Sequence, residues 1–483
     1  MRQLQSLEIL ISSDFDGVTS LVIMYKYLKN FTNDVYYICN ERSTGHNINN
    51  LLDQIPTQTK LFIAVDSSSN DIESMKTLTE RGMDCLIIDH HTVTVNNPYA
   101  ILVNPQQEGD EYPNKNACGG LLTYKVCQVI DECMNTYYSN EFDDLPGLAL
   151  LADVMSMMEL ENRYFAKQSL KGLHHRGLKQ LFTLMNFDVN NLSSTDFLFG
   201  VSPAVTAATR ADNIQLAIDF MLCEGSDEEI LELSKRLVSG NEKRKEIQSE
   251  AIKYHKTLAN EGDKVVVIVN PELGKGINGL AAADLVSAYN CPAIVLGYGD
   301  GEDTYAGSFR GLEDFSMLEL LESCDNTTFV AGHSGAGGVQ LSKTKLELLI
   351  QELNEKLADF IPDDSLYYDL EFDVSEINEK MILYLNEFYR ISGKDFKPGK
   401  FLLKGLFVSD KKLMGKQLNT VKIDCDSIQL MKFKTNEDYF NTVPVFAEVE
   451  AIGTLNMNYW KQYKPKFKIV KTMQLFIDDL REV

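Results

Sequence analysis

Residues 7–17 read LEILISSDFDG. Leu7–Ile11 is a short apolar run of strand length; it empties into a polar cluster holding Asp14 and Asp16, and Gly17 then lets the chain turn into a helical pattern over 18–28. Further short apolar runs occur at Val35–Cys39, 60–65 and Asp84–Ile88, separated by helical patterns such as 71–81. Strands alternating with helices at this spacing imply βαβ units in a parallel sheet. Such sheets bind their ligands beyond the carboxyl ends of the strands.

The residues just past each run are therefore informative. Asp66 comes directly after 61–65, and Asp89, His90 and His91 come after 86–88. Two acids at i, i+2 leaving a strand can converge on one or two metal ions, and hard oxygen ligands with one imidazole suit Mn²⁺ or Mg²⁺. Taken singly, DxDG is a common turn, Asp66 can be a helix N-cap, and adjacent histidines can be surface residues. Their recurrence at the ends of successive strands selects the metal reading. A further acid, Asp153 in LLADVMS, sits in an otherwise apolar segment, where a carboxylate is costly unless a metal or a buried arginine meets it.

The 483 residues predict roughly three domains, and 44% hydrophobic residues exclude disorder for most of the chain. No window reaches the roughly 18 to 20 uncharged apolar residues of a membrane helix, and acids come too early in MRQLQSLEILISSDFDG for a signal peptide. A cytoplasmic location is expected, in the host cytoplasm if the gene is a phage's. The nine cysteines show no CxxC pair or Cys/His cluster, which predicts reduced thiols and no structural zinc. Forty-six Lys plus Arg against 70 Asp plus Glu leave a charge of −24, which repels polyanions at long range. Locally the balance reverses: residues 393–434 carry ten lysines against four aspartates, and 451–471 carry five lysines and no acid.

Helical patterns occupy 119–131 and 145–158, and 226–261 reads as a long charged helix broken near Ser239 and Gly240. A second α/β unit starts near Lys264, with strands at 265–269 and 293–296 and the glycine-dense AGHSGAGG at 331–338. From about Lys400 short alternating segments suggest a small β-barrel. The expected fold class is α/β: a parallel-sheet domain, a smaller second α/β domain joined by a long helix, and a C-terminal barrel.

DFDGVTS, AVDSS, DHH and LLADVMSMMELENR resemble the four successive motifs of the DHH phosphoesterases, and within them the RecJ-type single-strand-specific 5′ exonucleases. FGVSPAVTAATRADN resembles the RecJ segment PxxNAxGR, and SGNEKRKEIQSEA the start of its connecting helix. GKGINGLAAADLVSAYNCPAIVLG, YAGSFRG and AGHSGAGG resemble the DHH-associated domain, and VEAIGTLNMNYWKQYKPKFKIV the end of the RecJ OB-fold. The resemblance implies a DHH domain over 1–225, a connecting helix over 226–262, a DHH-associated substrate-binding domain over 263–362, and a linker with an OB-fold over 363–483.

It also implies site residues. Asp14, Asp16, Asp66, His90 and Asp153 would be metal ligands, with Asp66 bridging two ions about 3.5 to 4 Å apart. Asp89 belongs to the same catalytic triplet, and His91 would lie against the phosphate. Ser308, Arg310 and His333 look like the groups that hold the terminal phosphate, with Arg210 as a further basic contact. Gly332, Gly335, Gly337 and Gly338 would let backbone N–H groups approach phosphate oxygens, unless they serve a tight turn. The sequence departs from the family pattern at Ser12, where the family carries an Asp or His, and at Ala204 and Thr206, where RecJ has Arg and Asn. A neutral hydroxyl is a poor ligand, so one ion would be held more weakly.

The last hundred residues combine lysines, Lys461 among them, with Tyr459, Trp460, Tyr463 and Phe467. Lysines neutralise phosphates while flat rings stack on unpaired bases; the alternative is that the rings are core. The expected function is a Mn²⁺- or Mg²⁺-dependent 5′→3′ exonuclease on single-stranded DNA, releasing 5′ mononucleotides in DNA repair, recombination or replication. Its expected partners are single-stranded DNA and a single-strand-binding protein or helicase, with no membrane, and the chain is expected to be a monomer. Two rivals stand: a phosphodiesterase for short oligonucleotides or cyclic dinucleotides, and a catalytically inactive single-strand-binding replication subunit.

Overall fold

The computed structural model describes residues 7–11, 14–39, 48–211, 213–259, 263–273, 275–299, 301–312, 315–363, 365–415, 418–462 and 468–483. Ser12, Tyr463 and Phe467 lie outside the described residues, as does the side chain of Lys461.

The first sheet contains β1 (Leu7–Ile11), β2 (Val35–Cys39), β3 (Leu61–Val65), β4 (Asp84–Ile88) and β5 (Ile101–Val103), in the order β2-β1-β3-β4-β5. Every pairing is parallel. The register runs Ile11 beside Val65, Val65 beside Ile88, and Ile88 beside Val103, so four neighbouring strands end in one row. Phe62, Ala64 and Ile87 pack against Met75 and Leu78 of the helix Ile72–Glu80, the apolar i, i+3 positions of that amphipathic segment. On the helix Phe15–Lys29 every residue from Phe15 to Met24 is buried.

Two helix expectations are corrected. The segment 145–158 is helical only over Pro146–Ala152, where Asp153 forms the C-cap and Val154 takes a φ of 55° that turns the chain away. The long charged segment is one unbroken helix, Asp227–Lys256, with no break at Ser239 and Gly240. A glycine inside a helix costs about 1 kcal/mol relative to alanine. That cost is outweighed here because Ile230, Ser234 and Leu237 before Gly240 and Asn241 after it are buried along one face. A capping box between Ser226 and Glu229 closes the amino end, and Lys253 and Lys256 complement the dipole at the other.

The second sheet contains β6 (Val266–Val269), β7 (Ala293–Tyr298), β8 (Thr304–Arg310), β9 (Phe329–His333) and β10 (Ala336–Ser342), in the order β6-β7-β8-β10-β9. Only β6 and β7 run parallel; the others pair antiparallel. Phe309, Val339 and Leu341 share one core with Met317 and Leu349, while Val295 packs with Ala281 and Leu285 of the helix Lys275–Tyr289. The two α/β sheets belong to one compact unit, comprising 1–153, 173–189 and 198–363.

The second compact unit comprises 154–172, 190–197 and 364–483. Its strands are β11 (Leu370–Asp373), β12 (Phe401–Met414), β13 (Thr420–Cys425), β14 (Gln429–Phe433), β15 (Glu448–Gln462) and β16 (Lys468–Glu482), in the order β11-β12-β13-β14-β16-β15. Because β12 also pairs with β15, strands β12 to β16 close into a barrel around Leu403, Val421, Ile423, Leu430, Leu455 and Leu475. The inserted segments dock by backbone hydrogen bonds, from Met157 N to Lys394 O at 2.9 Å and from Ser194 N to Arg390 O at 2.7 Å.

Candidate active site

The aligned carboxyl ends of β1, β3 and β4 bring the acidic and imidazole groups together. His90 Nε2 lies 3.2 Å from Asp66 Oδ1, 3.4 Å from Asp153 Oδ2 and 3.9 Å from Asp16 Oδ2. Asp16 and Asp66 are each 1% exposed, whereas the Asp153 side chain is 24% exposed, so the cluster is buried on one side and opens to solvent on the other. Asp14 caps the helix Phe15–Lys29 by accepting from Gly17 N at 2.9 Å, and its charge bears on Asp66 and both histidines. Asp66 itself has a φ of 57°, the left-handed turn that an aspartate tolerates at modest strain.

Asp89 has a different task. Its Oδ1 accepts from His90 N at 2.8 Å and His91 N at 3.2 Å and meets His91 Nδ1 at 2.7 Å, while its Oδ2 accepts from Ser69 N at 3.1 Å. This carboxylate braces the turn that carries both histidines. Burial works to raise its pKa, but the hydrogen bonds and charges of the histidines outweigh burial and hold it below the usual carboxylate range. The hydrogen bond to Asp89 lifts His91 to about 9 against the opposing effect of burial, so this half-exposed imidazole is cationic at neutral pH. His90 is pulled below its ordinary value by burial, against the pull of Asp16, and so keeps the neutral form a metal ligand needs.

Asp66 shows whether a cation fits. Burial first, then the charges of Asp16, Asp14, Asp153 and Asp89, push its pKa well above the ordinary value. Its Oδ1 is buried and accepts no hydrogen bond among the described residues. Buried carboxylates massed around a neutral imidazole, with an oxygen left to bind, match the hard donor set of Mn²⁺ or Mg²⁺.

Several positioning residues are not legible as such in the sequence. Gly119 N and Gly120 N, at the start of the helix Gly119–Met134, donate to Asp16 Oδ2 at 2.7 Å and Oδ1 at 2.8 Å. A Cβ at Gly119 would stand 2.6 Å from Asp66 Cβ, so only glycine lets the helix approach so closely. Asn104, buried just past β5, donates to Ser69 Oγ and to His91 O, both at 2.9 Å. The one signal for it is the asparagine at the end of ILVN, a fourth strand end running into a polar side chain.

In the second sheet Arg310 and His333 both pair with Ala336 of β10, and Ser308 pairs with Gly338 two residues on. Antiparallel partners share a face, so Ser308, Arg310 and His333 lie on the same side. Arg310 Nη1 donates to Phe309 O at 2.7 Å, and His333 is exposed. Gly332, with a φ of 142°, has a steric role: a Cβ there would meet Ala336 O at 2.5 Å in the tight hairpin. Gly335 O accepts from Gly311 N at 2.8 Å, which ties the hairpin tip to the GSFRG strand end. Arg210 Nη1 donates to Gly276 O at 3.0 Å, next to the helix Lys275–Tyr289.

In the barrel unit, β15 and β16 run on as a two-stranded ribbon past their pairings with β12 and β14. Leu455 and Met457 face the core, whereas Asn456, Asn458 and Trp460 alternate to the other face. Trp460 is 45% exposed, so the chain's one tryptophan is a surface residue. Lys461 stands opposite Ile469 in the register.

A buried carboxylate–imidazole cluster at the carboxyl edge of a parallel sheet, followed by a second α/β sheet and a closed barrel, defines a metal-assisted phosphoesterase class. Residues 8–153 match the family described as DHH family, N-terminal domain, and residues 368–471 match the RecJ OB domain. The chain is a RecJ-like member of the DHH phosphoesterases. It is 28% identical to the putative SPbeta prophage-derived single-strand DNA-specific exonuclease YorK of Bacillus subtilis, over 98% of this chain and 87% of that one. It is 26% identical to the single-stranded-DNA-specific exonuclease RecJ of the same organism, over 99% of this chain and 63% of that protein. Its fold superposes on RecJ in complex with Mn²⁺ from Thermus thermophilus with a TM-score of 0.79 at 20% identity, covering all of this chain and 70% of the other. Among the described residues no helix is long and apolar enough to cross a membrane.

Proposed function

We propose that the chain is a metal-dependent exonuclease that removes 5′ mononucleotides from single-stranded DNA. The observation that carries this reading is the cluster of the buried Asp16 and Asp66 with the partly buried His90 and Asp153, in a DHH domain whose chain also bears a RecJ OB domain. Asp14, Asp16, Asp66, His90 and Asp153 would hold the ions, with Asp66 shared between two. Bound divalent ions supply an activated water and stabilise the departing oxygen of a phosphodiester. Asp89 holds the His90–His91 turn, and the cationic His91 offers a hydrogen bond and charge to a phosphate beside the cluster. Ser308, Arg310 and His333, on one sheet face, hold the terminal phosphate and so make cleavage proceed from an end. The exposed Trp460 and neighbouring Lys461 guide the unpaired strand.

The 5′ polarity and a role in repair, recombination or replication follow from the resemblance of the sequence motifs to the RecJ-type exonucleases. A cytoplasmic monomer working beside a single-strand-binding protein or helicase is part of the same proposal, as is the four-part division at 225, 262 and 362. With Ser12 in place of an acidic or imidazole donor, one ion is held less tightly.

The test is digestion of 5′- and 3′-labelled single-stranded and duplex DNA with Mn²⁺, beside Asp66→Asn and Ser12→Asp. Release of 5′ mononucleotides from single strands alone, lost in Asp66→Asn, supports the reading, and a lower Mn²⁺ requirement in Ser12→Asp supports the assignment of that position. Cleavage of dinucleotides but not long strands replaces it with a short-oligonucleotide phosphodiesterase. Binding of strands without cleavage under either metal replaces it with a binding subunit.

A further inference from the structure

The helix Asp227–Lys256 does more than join two sheets. One of its faces, with the helix Ser202–Arg210, lines a cavity of about 700 Å³. The cavity carries Arg210, Lys235, Arg236, Lys243 and Arg244 against one acid, Glu232. Such a concentration of positive charge is unusual in a chain of net charge −24. Arg244 is held in place, donating to Asn241 Oδ1 at 3.0 Å and Gln248 Oε1 at 2.9 Å. Lys235, Arg236 and Lys243 carry no ion pair among the described residues. Unneutralised like charges gathered at one concavity repel each other, and an anionic ligand relieves that repulsion.

The spacing indicates which anion. Lys235 with Arg236, and Lys243 with Arg244, form two basic pairs eight residues apart on one face, about 12 Å along the axis. Between the pairs lie Ser239 and Gly240, and a Cβ at Gly240 would meet nothing within 4 Å. Two separated cationic pairs with small residues between them fit non-adjacent phosphates of one extended strand better than one compact anion.

We infer that the basic cavity on the helix Asp227–Lys256 is a further subsite for the phosphodiester backbone of single-stranded DNA, sharing Arg210 with the groups assigned to the terminal phosphate and otherwise made of residues outside them and outside the metal cluster. The inference rests on the single-strand reading for its ligand, but it can be measured without hydrolysis. The probe is a fluorescent oligothymidylate of thirty nucleotides, its binding followed by anisotropy in EDTA across a salt series. The proteins are the full chain, the variant Lys235→Gln/Arg236→Gln/Lys243→Gln, and a control, Lys245→Gln/Lys253→Gln/Lys256→Gln, that removes equal charge from the same helix outside the cavity. All six positions are solvent-facing or partly so, and matching circular dichroism melts verify folding.

Each lost phosphate contact makes the slope of log affinity against log salt shallower by about 0.7. The cavity variant is expected to lose about 2 from that slope and at least about tenfold in affinity at low salt, with the control within about twofold of the parent. Equal slopes for the cavity variant and the parent, or equal losses in the two variants, overturn the inference. A parent that binds through the cavity but cuts nothing leaves the subsite standing and removes the nuclease reading; a parent that cuts but shows no cavity effect does the reverse.

Discussion

At Asp66 the protein holds a buried carboxylate whose charge is opposed by its surroundings, and this has a measurable signature. Its pKa in the folded, metal-free protein is raised above the unfolded value, chiefly by burial and then by Asp16 and Asp14. A group of that sign stabilises below its unfolded pKa of about 3.9, and the contribution is lost as pH rises through the folded value. Metal-free protein is therefore expected to melt at lower temperature in mildly alkaline than in mildly acidic buffer. Mn²⁺ should raise Tm most at the alkaline end, because it offsets the clustered charge. Asp66→Asn keeps the shape and tolerates the left-handed turn, so it should melt higher than the parent without metal and lose the Mn²⁺ shift. Its rate should fall at least about a hundredfold, as several kcal/mol of charge stabilisation go with the ligand. Calorimetry with and without Mn²⁺ checks the first part; equal Tm values for variant and parent would contradict it. At Gly119 the added methyl of an alanine would press on Asp66 Cβ from 2.6 Å. Gly119→Ala is expected to lose about 10- to 100-fold in Mn²⁺ affinity, in the range of lost outer-shell support, and titration of activity against Mn²⁺ reads it.

The strand ends and the ribbon act as elements. The equal register of β1, β3, β4 and β5 is what sets Asp66, Asp89 and Asn104 side by side, since residues one step past a common row emerge together. On the β15–β16 ribbon, alternation separates Met457, inside, from Trp460, outside. Trp460→Ala should weaken oligonucleotide binding by about 1–3 kcal/mol, the value of one stacked base, while moving folding stability by no more than about 0.5 kcal/mol. A fall in Tm matching the loss of a core side chain would show the ring to be structural instead. Tyr459 and Trp460 are both surface residues, a point open in the sequence, where the alternative was that these rings are core.

For the whole molecule, the chain crosses between its two compact units more than once. The segments 154–172 and 190–197 belong with the barrel, tied to it by Lys394 O and Arg390 O and by Arg163 over the Phe396 ring at 4.8 Å. A fragment ending at residue 363 would keep these segments and remove their partners. It is expected to bind hydrophobic dyes and to be cut by protease within 154–197, where the full chain resists; a fragment as resistant as the full chain would show that the units fold separately. Segments 154–172 and 190–197 lie far from residue 364 along the chain and join the barrel unit only through tertiary contacts.

The alternation of strands and helices, the acids and histidines at the strand ends, the second α/β unit and the barrel were legible along the chain. Each of these is written in local hydrophobic period and in residues adjacent along the chain. That Asp89 also braces the His90–His91 turn, that Gly119 and Asn104 support the cluster, and that Gly332 sits in a hairpin depended on contacts across the fold. Tertiary structure also decided that the long helix runs unbroken through Gly240 and carries a basic cavity. Those outcomes depend on which groups meet across long separations, as Gly120 meets Asp16 across 104 residues, and packing rather than local propensity determines such meetings.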